Sequence, residues 1–329
     1  MTATAGAAPE IAAAVAALRA GELVAFPTET VYGLGADARN PAALRRVYAL
    51  KGRPATHPLI LHLADAAALP QWVAAVPPAA ATLAARFWPG PLTLVLPRAA
   101  GVPDELTGGQ DSVAVRVPSH PVAQALLAAF GGGIAAPSAN RYGRLSPTRA
   151  AHVRDEFPSG IAVVLEGGDC EVGLESTIVS LLGKTPRILR PGVIGRAALE
   201  AALGMRVLAG DEPEASAGGG AAAASAPVAP VPRVPGSTAQ HYAPRTPLTL
   251  VAAGGLAAAV AAAVARGERV ATLACPPGAD AAAYGRALYA SLRALDDGRA
   301  DRLLVEEVPA TPEWDAARDR LARAAAASP

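Results

Sequence analysis

Cysteine is nearly missing from this 329-residue chain. Cys170 and Cys275 have neither the number nor the spacing of a disulfide framework or a zinc site, which fits a reducing cytosol. Lysine is as scarce: Lys51 and Lys184 are the only two among 29 Lys and Arg residues. A compact ammonium kept at position 51 therefore draws notice, because lysine and arginine are not interchangeable. Charge of either sign is also short, at 17% of residues with a net charge of +1. No broad field would attract nucleic acid or an anionic membrane, so anion binding has to come from local clusters. No run of about 18 strongly apolar residues suggests a membrane span. The N-terminus lacks the basic region, apolar run and small-residue cleavage site of a signal peptide, so a cytoplasmic protein is expected.

What the chain has is alanine, much of a 52% hydrophobic content, and length enough for two domains. An alanine-rich helix is expected over Glu10 to Ala20, then a strand over Leu23 to Phe26. Asn40-Pro41 supplies an N-cap and first-turn proline for a helix through Leu50. Leu59 to Leu63 reads as a strand, and Ala66 to Ala75 and Ala79 to Phe87 as helices. Further strands are expected at Leu92 to Leu96, Val113 to Val117, Ile134 to Ala136, Ile161 to Leu165, Ile178 to Leu182 and around Arg187 to Arg190. Arg187 and Arg190 lie three apart and face opposite sides, so at most one should enter a given site. From about Leu208 to Pro235 the sequence is alanine, glycine, serine and proline without periodicity, as in a linker. A second alternation of strand and helix follows from Leu248, its last helix opened by Thr311-Pro312. The expected division is a catalytic domain over 1–207, a linker over 208–246 and a smaller α/β domain over 247–329.

Chemistry concentrates in Pro27-Thr28-Glu29-Thr30-Val31-Tyr32-Gly33-Leu34-Gly35 and, one helix later, Lys51-Gly52-Arg53-Pro54. Pro27 ends the strand, since it cannot donate to a sheet ladder. Three hydroxyls and a carboxylate then crowd into six residues. The stretch reads either as a hydroxyl-rich strand end leading to a capped helix, or as the ligand edge of an open α/β sheet. His62 interrupts an apolar strand and is either a satisfied structural histidine or a ligand. Arg116 interrupts another; its guanidinium needs an internal salt bridge or a ligand's carboxylate or phosphate. Ser146-Pro147-Thr148 reads as an N-cap with proline at the first helical position, a role that alone would explain Ser146.

Six motifs in order carry a resemblance. The Pro27 to Gly35 and Lys51 to Pro54 stretches, His57-Pro58-Leu59, Ser138-Ala139-Asn140, Glu175-Ser176-Thr177 and Arg190-Pro191-Gly192 resemble the YrdC/Sua5 family over roughly residues 10 to 205. Gln240-His241-Tyr242-Ala243-Pro244 and the C-terminal segment resemble its long, Sua5-type members. The resemblance implies an α/β fold: a YrdC-like open twisted mixed sheet with helices, plus a smaller Rossmann-like C-terminal domain. It implies an L-threonylcarbamoyladenylate synthase, a nucleotidyltransferase that condenses L-threonine, bicarbonate or CO2, and ATP with release of pyrophosphate. The product would feed t6A modification of tRNAs that read codons beginning with A, through downstream transferase machinery.

The same resemblance implies roles. Lys51 and Arg53 would contact the ATP phosphates and carry catalysis, joined by Ser138, Asn140, Ser146 and Arg190, with His57 and Ser112 near the nucleotide. Tyr242 would fold over the nucleotide as part of a lid. Pro235 to Gln240, however, lacks the basic and aromatic residues that some long members place before the His-Tyr pair. L-Threonine would be held by Thr30, His62, Arg116, Ser176 and the backbone around Ala136. No metal ligand is implied on the protein, and magnesium would accompany ATP. Such catalysis is positioning and charge stabilisation, in keeping with a sequence that offers no Ser-His-Asp or Cys-His arrangement. A non-catalytic tRNA or double-stranded RNA module is the alternative. The near balance of 16 Lys and Arg against 14 Asp and Glu over residues 21–200 argues against strong RNA binding. A carbamoyl-transfer domain of hydrogenase-maturation type would bring cysteine-rich zinc motifs that this chain lacks.

Overall fold

Alternation along single strands decides which helices cover which face of the main sheet. In β1 (Val24–Phe26), Val24 and Phe26 enter one apolar cluster and Ala25 enters another. The structure, a computed structural model, describes residues 7–210, 212–214, 231–236 and 241–327. The rest of the expected linker, 211, 215–230 and 237–240, lies outside the described residues.

The strands β2 (Gly33–Asp37), β3 (Ile60–His62), β4 (Leu92–Pro97), β5 (Ser112–Arg116), β6 (Ile134–Ala135) and β7 (Val163–Val164) join β1 in one sheet. With β8 (Thr177–Ser180), β9 (Arg187–Arg190) and β10 (Leu208–Ala209) the order is β10-β9-β8-β4-β5-β3-β6-β2-β1-β7. The sheet is mixed: β3 runs parallel to β5, and β4 antiparallel to β5 but parallel to β8.

Among the described residues, the helices of this part are α1 (Ala7–Arg19), α2 (Pro41–Lys51), α3 (Pro78–Phe87), α4 (Asp104–Thr107), α5 (Pro121–Phe130), α6 (Ala150–Glu156) and α7 (Arg196–Leu203). Leu44 and Val47 of α2, Leu83 of α3 and Leu199 of α7 fill one face of the sheet with Leu61, Leu94, Val115 and Val179. On the other face α1 and α5 cover Val24, Phe26 and Ile134 at one end. The middle strands there present Ile60, Val95, Ala114 and Ile178, which are capped by Val234. That stretch of sheet is where a site can open.

Local signals explain α2. The Asn40 side chain accepts from the Ala42 and Ala43 amides, and Gly52 ends the helix at φ 63°, a left-handed conformation that glycine adopts without a Cβ penalty. Elsewhere the sequence misled. Helix α6 starts at Ala150 with Arg149 at its N-cap, so Ser146 does not cap it. The expected helix at Ala66 to Ala75 is a 3₁₀ turn, Ala66–Gln71, that holds Pro70, a residue unable to donate within a longer helix. Thr311-Pro312 likewise opens a 3₁₀ turn, Pro312–Trp314, before the last helix.

The second sheet is parallel, built from β11 (Leu248–Val251), β12 (Val270–Leu273) and β13 (Arg302–Glu306) in the order β11-β13-β12. Helices α8 (Leu256–Ala265), α9 (Ala281–Leu295) and α10 (Asp315–Ala326) accompany it. One apolar cluster joins the two parts: Val31, Leu145, Leu174 and Tyr242 pack with Leu288, Tyr289, Leu292, Trp314 and Leu321. Among the described residues no helix is long and apolar enough to cross a membrane.

Candidate active site

Sheet register assembles the polar residues. His62 of β3 pairs with Arg116 of β5, and Arg116 with Thr93 of β4, so three polar side chains stand in a row on the face free of α2, α3 and α7. The Thr93 hydroxyl lies 2.8 Å from that of Ser176, just before β8. A cavity of about 500 Å³, counted to its open mouth, forms over this row. Thr30, Arg53, His62, Arg116, Ala136, Ser138, Ser176, Arg190 and Tyr242 all line it. Of the two arginines of β9, Arg190 enters the cavity wall, and Arg187 turns away to the Gly210 and Glu212 carbonyls.

Five other candidates lie elsewhere. The Lys51 ammonium is buried behind the loop that follows β6, residues 136–140, donating to the Ser138 carbonyl at 2.6 Å and to that of Asn140. Burial, with the nearby Arg53 charge, lowers its pKa well below the ordinary lysine value. Asn140 spends its amide on the Arg141 and Arg144 carbonyls. His57 sits 3.2 Å from the Tyr142 hydroxyl, and burial with the Arg53 charge pulls its pKa down. Ser112 opens β5 opposite Pro97, and the Ser146 hydroxyl donates to Glu175.

Arg116 has a protein partner. Its Nη2 lies 2.7 Å from the Glu29 carboxylate, Nη1 donates to the Thr30 hydroxyl at 2.8 Å, and Nε reaches the Gly90 carbonyl. Of the two partners open to Arg116, the fold supplies the internal one, since burying an unpaired charge costs more than burying the pair. The Nη2 to Glu29 approach is a close ion pair without hydrogen-bond alignment.

The imidazoles are neutral groups here. His62 hydrogen-bonds the Ile60 carbonyl, and burial, reinforced by Arg116, brings its pKa down to about 3. Burial likewise lowers His241 to about 3. The Arg190 guanidinium donates to the Ser176 carbonyl and hydroxyl and to the Pro235 carbonyl, tying β9, the residue before β8 and the 231–236 segment together. Tyr242 is fully buried at φ 60°, a strained conformation for a residue with a Cβ.

Sequence reasoning assigned no role to Glu175 or Arg320, yet they form a second buried charge pair beside the cavity, 2.8 Å apart. Burial alone would raise the Glu175 carboxyl; Arg320, Arg190 and the Ser146 hydroxyl hold it at about 2. Glu175 had a signal, its place beside Ser176. Arg320 had none, because a helix reading Asp315 to Ala326 with alternating charges looks like a solvated face.

Two family models match. One for Sua5, YciO and YrdC proteins, described as telomere recombination, covers residues 16–192, and one described as threonylcarbamoyl-AMP synthase, C-terminal domain, covers 194–326. The chain is similar to the threonylcarbamoyl-AMP synthase of Bacillus subtilis (strain 168), 39% identical over 340 residues that span 96% of this chain and 93% of that one. It is 48% identical over 187 residues to the synthase of Pyrococcus abyssi, covering 57% of this chain and 55% of that one. The crystal structure of P. abyssi Sua5 complexed with L-threonine has the same fold, with a TM-score of 0.85 at 35% identity over 96% of this chain and 94% of that one. A variant of that protein with an adjacent histidine and tyrosine replaced by alanine gives 0.84 at the same identity.

Proposed function

The chain belongs to the Sua5/YrdC family of threonylcarbamoyl-AMP synthases, and from that premise we propose how its cavity carries out the nucleotidyl transfer. L-Threonine, the ligand named for the Pyrococcus relative, binds over the row of His62 and Arg116, with Thr30 and Ser176 beside it. Its carboxylate meets the Arg116 guanidinium in competition with Glu29, and a neutral His62 adds no competing charge. The uncharged amine forms an N–C bond to CO2 with loss of a proton to solvent, or to bicarbonate with loss of water, giving a carbamate. A carbamate oxygen then forms a bond to the α-phosphorus of ATP, the bond from that phosphorus to the β-phosphate bridging oxygen breaks, and pyrophosphate leaves with its electron pair.

Arg53 and Arg190 face the cavity with fixed guanidinium groups and are the proposed phosphate contacts. Lys51 acts one layer behind them, holding the Ser138 and Asn140 carbonyls and hence the loop that presents Ser138. Catalysis is then orientation plus charge stabilisation, with no enzyme nucleophile. Magnesium is proposed to enter on the triphosphate. Glu29 and Glu175, the carboxylates nearest the cavity, are committed to Arg116 and Arg320, and no step is assigned to the ion.

His241 and the fully buried Tyr242 stand in the cavity wall opposite the sheet residues His62 and Arg116. On this reading the Tyr242 side chain, a wall of the cavity, serves as the lid over the nucleotide. Delivery of the product to tRNA modification in the cytoplasm completes the proposal.

The observation that carries this reading is the convergence of Arg53, Arg116, Ser138, Ser176 and Arg190 on one cavity. The test is incubation of the purified chain with ATP, bicarbonate and labelled threonine, followed by separation of nucleotides. Labelled adenylate with stoichiometric pyrophosphate is expected; pyrophosphate release indifferent to threonine would overturn the reading.

A further inference from the structure

We propose that Arg320, on α10 beside the second sheet, is a positioning residue of the cavity: it fixes the two strand ends that present Ser176 and Arg190, together with the ring of Tyr242. The proposal rests on reading the cavity as the synthase site. Nothing in the sequence around Arg320 suggests it: besides the adjacent Asp319, to which Nη1 donates at 2.7 Å, its partners Glu175, Pro191 and Tyr242 lie far away along the chain.

The Arg320 side chain is completely buried. Its Nε donates to the Glu175 carboxylate at 2.8 Å, its Nη2 approaches the Glu175 carbonyl at 3.4 Å, and its Nη1 donates to the Pro191 carbonyl at 3.0 Å. Glu175 precedes Ser176 and Pro191 follows Arg190, so one planar fork pins the backbone next to two cavity residues whose own side chains hydrogen-bond each other. The same guanidinium lies 5.1 Å from the centre of the Tyr242 ring, within cation–π range. Tyr289 of α9 adds a second hold on the Glu175 carboxylate, at 3.0 Å and 3.2 Å, and Ser146 a third.

Arg320 touches no substrate on this reading. It acts by keeping Ser176, Arg190 and Tyr242 in register with one another, so that the second sheet and its helices complete the cavity of the first. The competing view is plain adhesion between the two parts of the chain. Adhesion has other anchors, such as Arg286 of α9, whose Nε donates to the Glu171 carbonyl at 2.6 Å and reaches no cavity residue.

The experiment compares full-length wild type, Arg320→Lys, Tyr289→Phe and Arg286→Ala. The readouts are thermal unfolding, pyrophosphate release with threonine and ATP varied in turn, and threonine affinity by calorimetry. Lysine keeps the charge but loses the fork. Arg320→Lys is expected to raise the threonine KM and Kd about tenfold, the size of one lost charge-assisted hydrogen bond, with kcat changed less. Arg286→Ala should lower the unfolding midpoint and leave both constants at wild-type values. If Arg320→Lys fails to fold, Tyr289→Phe carries the test, since it keeps the ion pair and removes one hold on the carboxylate; a roughly threefold weaker threonine affinity is expected. Wild-type threonine affinity in the folded variants, or an equal loss in Arg286→Ala, would overturn the proposal. A wild-type chain that binds threonine without releasing pyrophosphate would instead sink the synthase reading, and the calorimetric comparison would still judge Arg320.

Discussion

The Arg116 guanidinium and the Glu29 carboxylate lie 2.7 Å apart in the cavity wall, each with about 4% of its side chain exposed. This pairing makes Arg116 available to a ligand only in competition with Glu29. Arg116→Ala is expected to weaken threonine binding by about 2 to 3 kcal/mol, as lost charge-assisted hydrogen bonds do. It also leaves Glu29 buried and alone, at a stability cost of about 3 to 5 kcal/mol. Glu29→Gln separates the two effects. It too should lower stability in urea unfolding, but threonine would now neutralise an uncompensated guanidinium, so the threonine KM should fall. A KM that rises in Glu29→Gln would show that Arg116 serves the ion pair alone.

Lys51 tests the layer behind the cavity. Lys51→Met keeps an apolar stem of similar length but strips the donor from the Ser138 and Asn140 carbonyls. Two acceptors left without that partner cost about 2 kcal/mol of stability or more. Because the same loop presents Ser138 to the cavity, the ATP KM should rise as well. Urea unfolding beside pyrophosphate assays reads both; unchanged nucleotide kinetics in a destabilised variant would confine Lys51 to holding the loop.

Much of this arrangement was legible in the sequence. Strand ends, the Asn40-Pro41 cap and the split of Arg187 from Arg190 follow from local rules, and β9 obeys them by turning Arg190 in and Arg187 out. The cavity's chemistry was legible as residue types, because cations and hydroxyls at strand ends have few other uses. What failed is what depends on distant partners. Ser146 carries every local mark of a helix cap, but Glu175 takes its hydroxyl and α6 starts four residues later. Arg116 announced that it needed a partner without saying that Glu29 was the one. Arg320 gave no sign, since burial of α10 is decided by the other part of the chain.

Acid should unfold the protein by way of its buried imidazoles. His62 and His241 are each held near 3, against about 6.5 in an unfolded chain, with burial the largest cause in both cases. The folded-state values are depressed, so the unfolded chain binds protons that the folded chain refuses. Stability is fully present above about pH 6.5 and falls as the pH drops toward the folded values, with a slope approaching about 1.4 kcal/mol per pH unit for each histidine. Urea unfolding at steps from pH 7 to pH 5 should show the slope, and His62→Gln should remove about one histidine's share. An identical slope in that variant would mean that His62 already protonates within the fold.

Gly236 and Tyr242 give the sharpest test of how the cavity is closed. Gly236 has φ 78°, and a Cβ there would come within 2.0 Å of the Tyr242 hydroxyl oxygen and 3.0 Å of its ring. Tyr242 is fully buried at a strained φ of 60°, so its ring has little room to yield. Gly236→Ala should therefore cost more than the roughly 1 kcal/mol of a left-handed alanine, because it also displaces the ring from the Arg190 and Arg320 guanidinium groups. Tyr242→Phe deletes the oxygen that the new methyl group would meet. The two substitutions in one chain should thus cost about 1 kcal/mol less than the sum of the singles, a coupling that urea unfolding resolves. The ATP KM should follow the same pattern, rising in Gly236→Ala and recovering in part in the double variant. Strict additivity in both measurements would mean that the contact between residue 236 and the Tyr242 hydroxyl does not hold the lid in place.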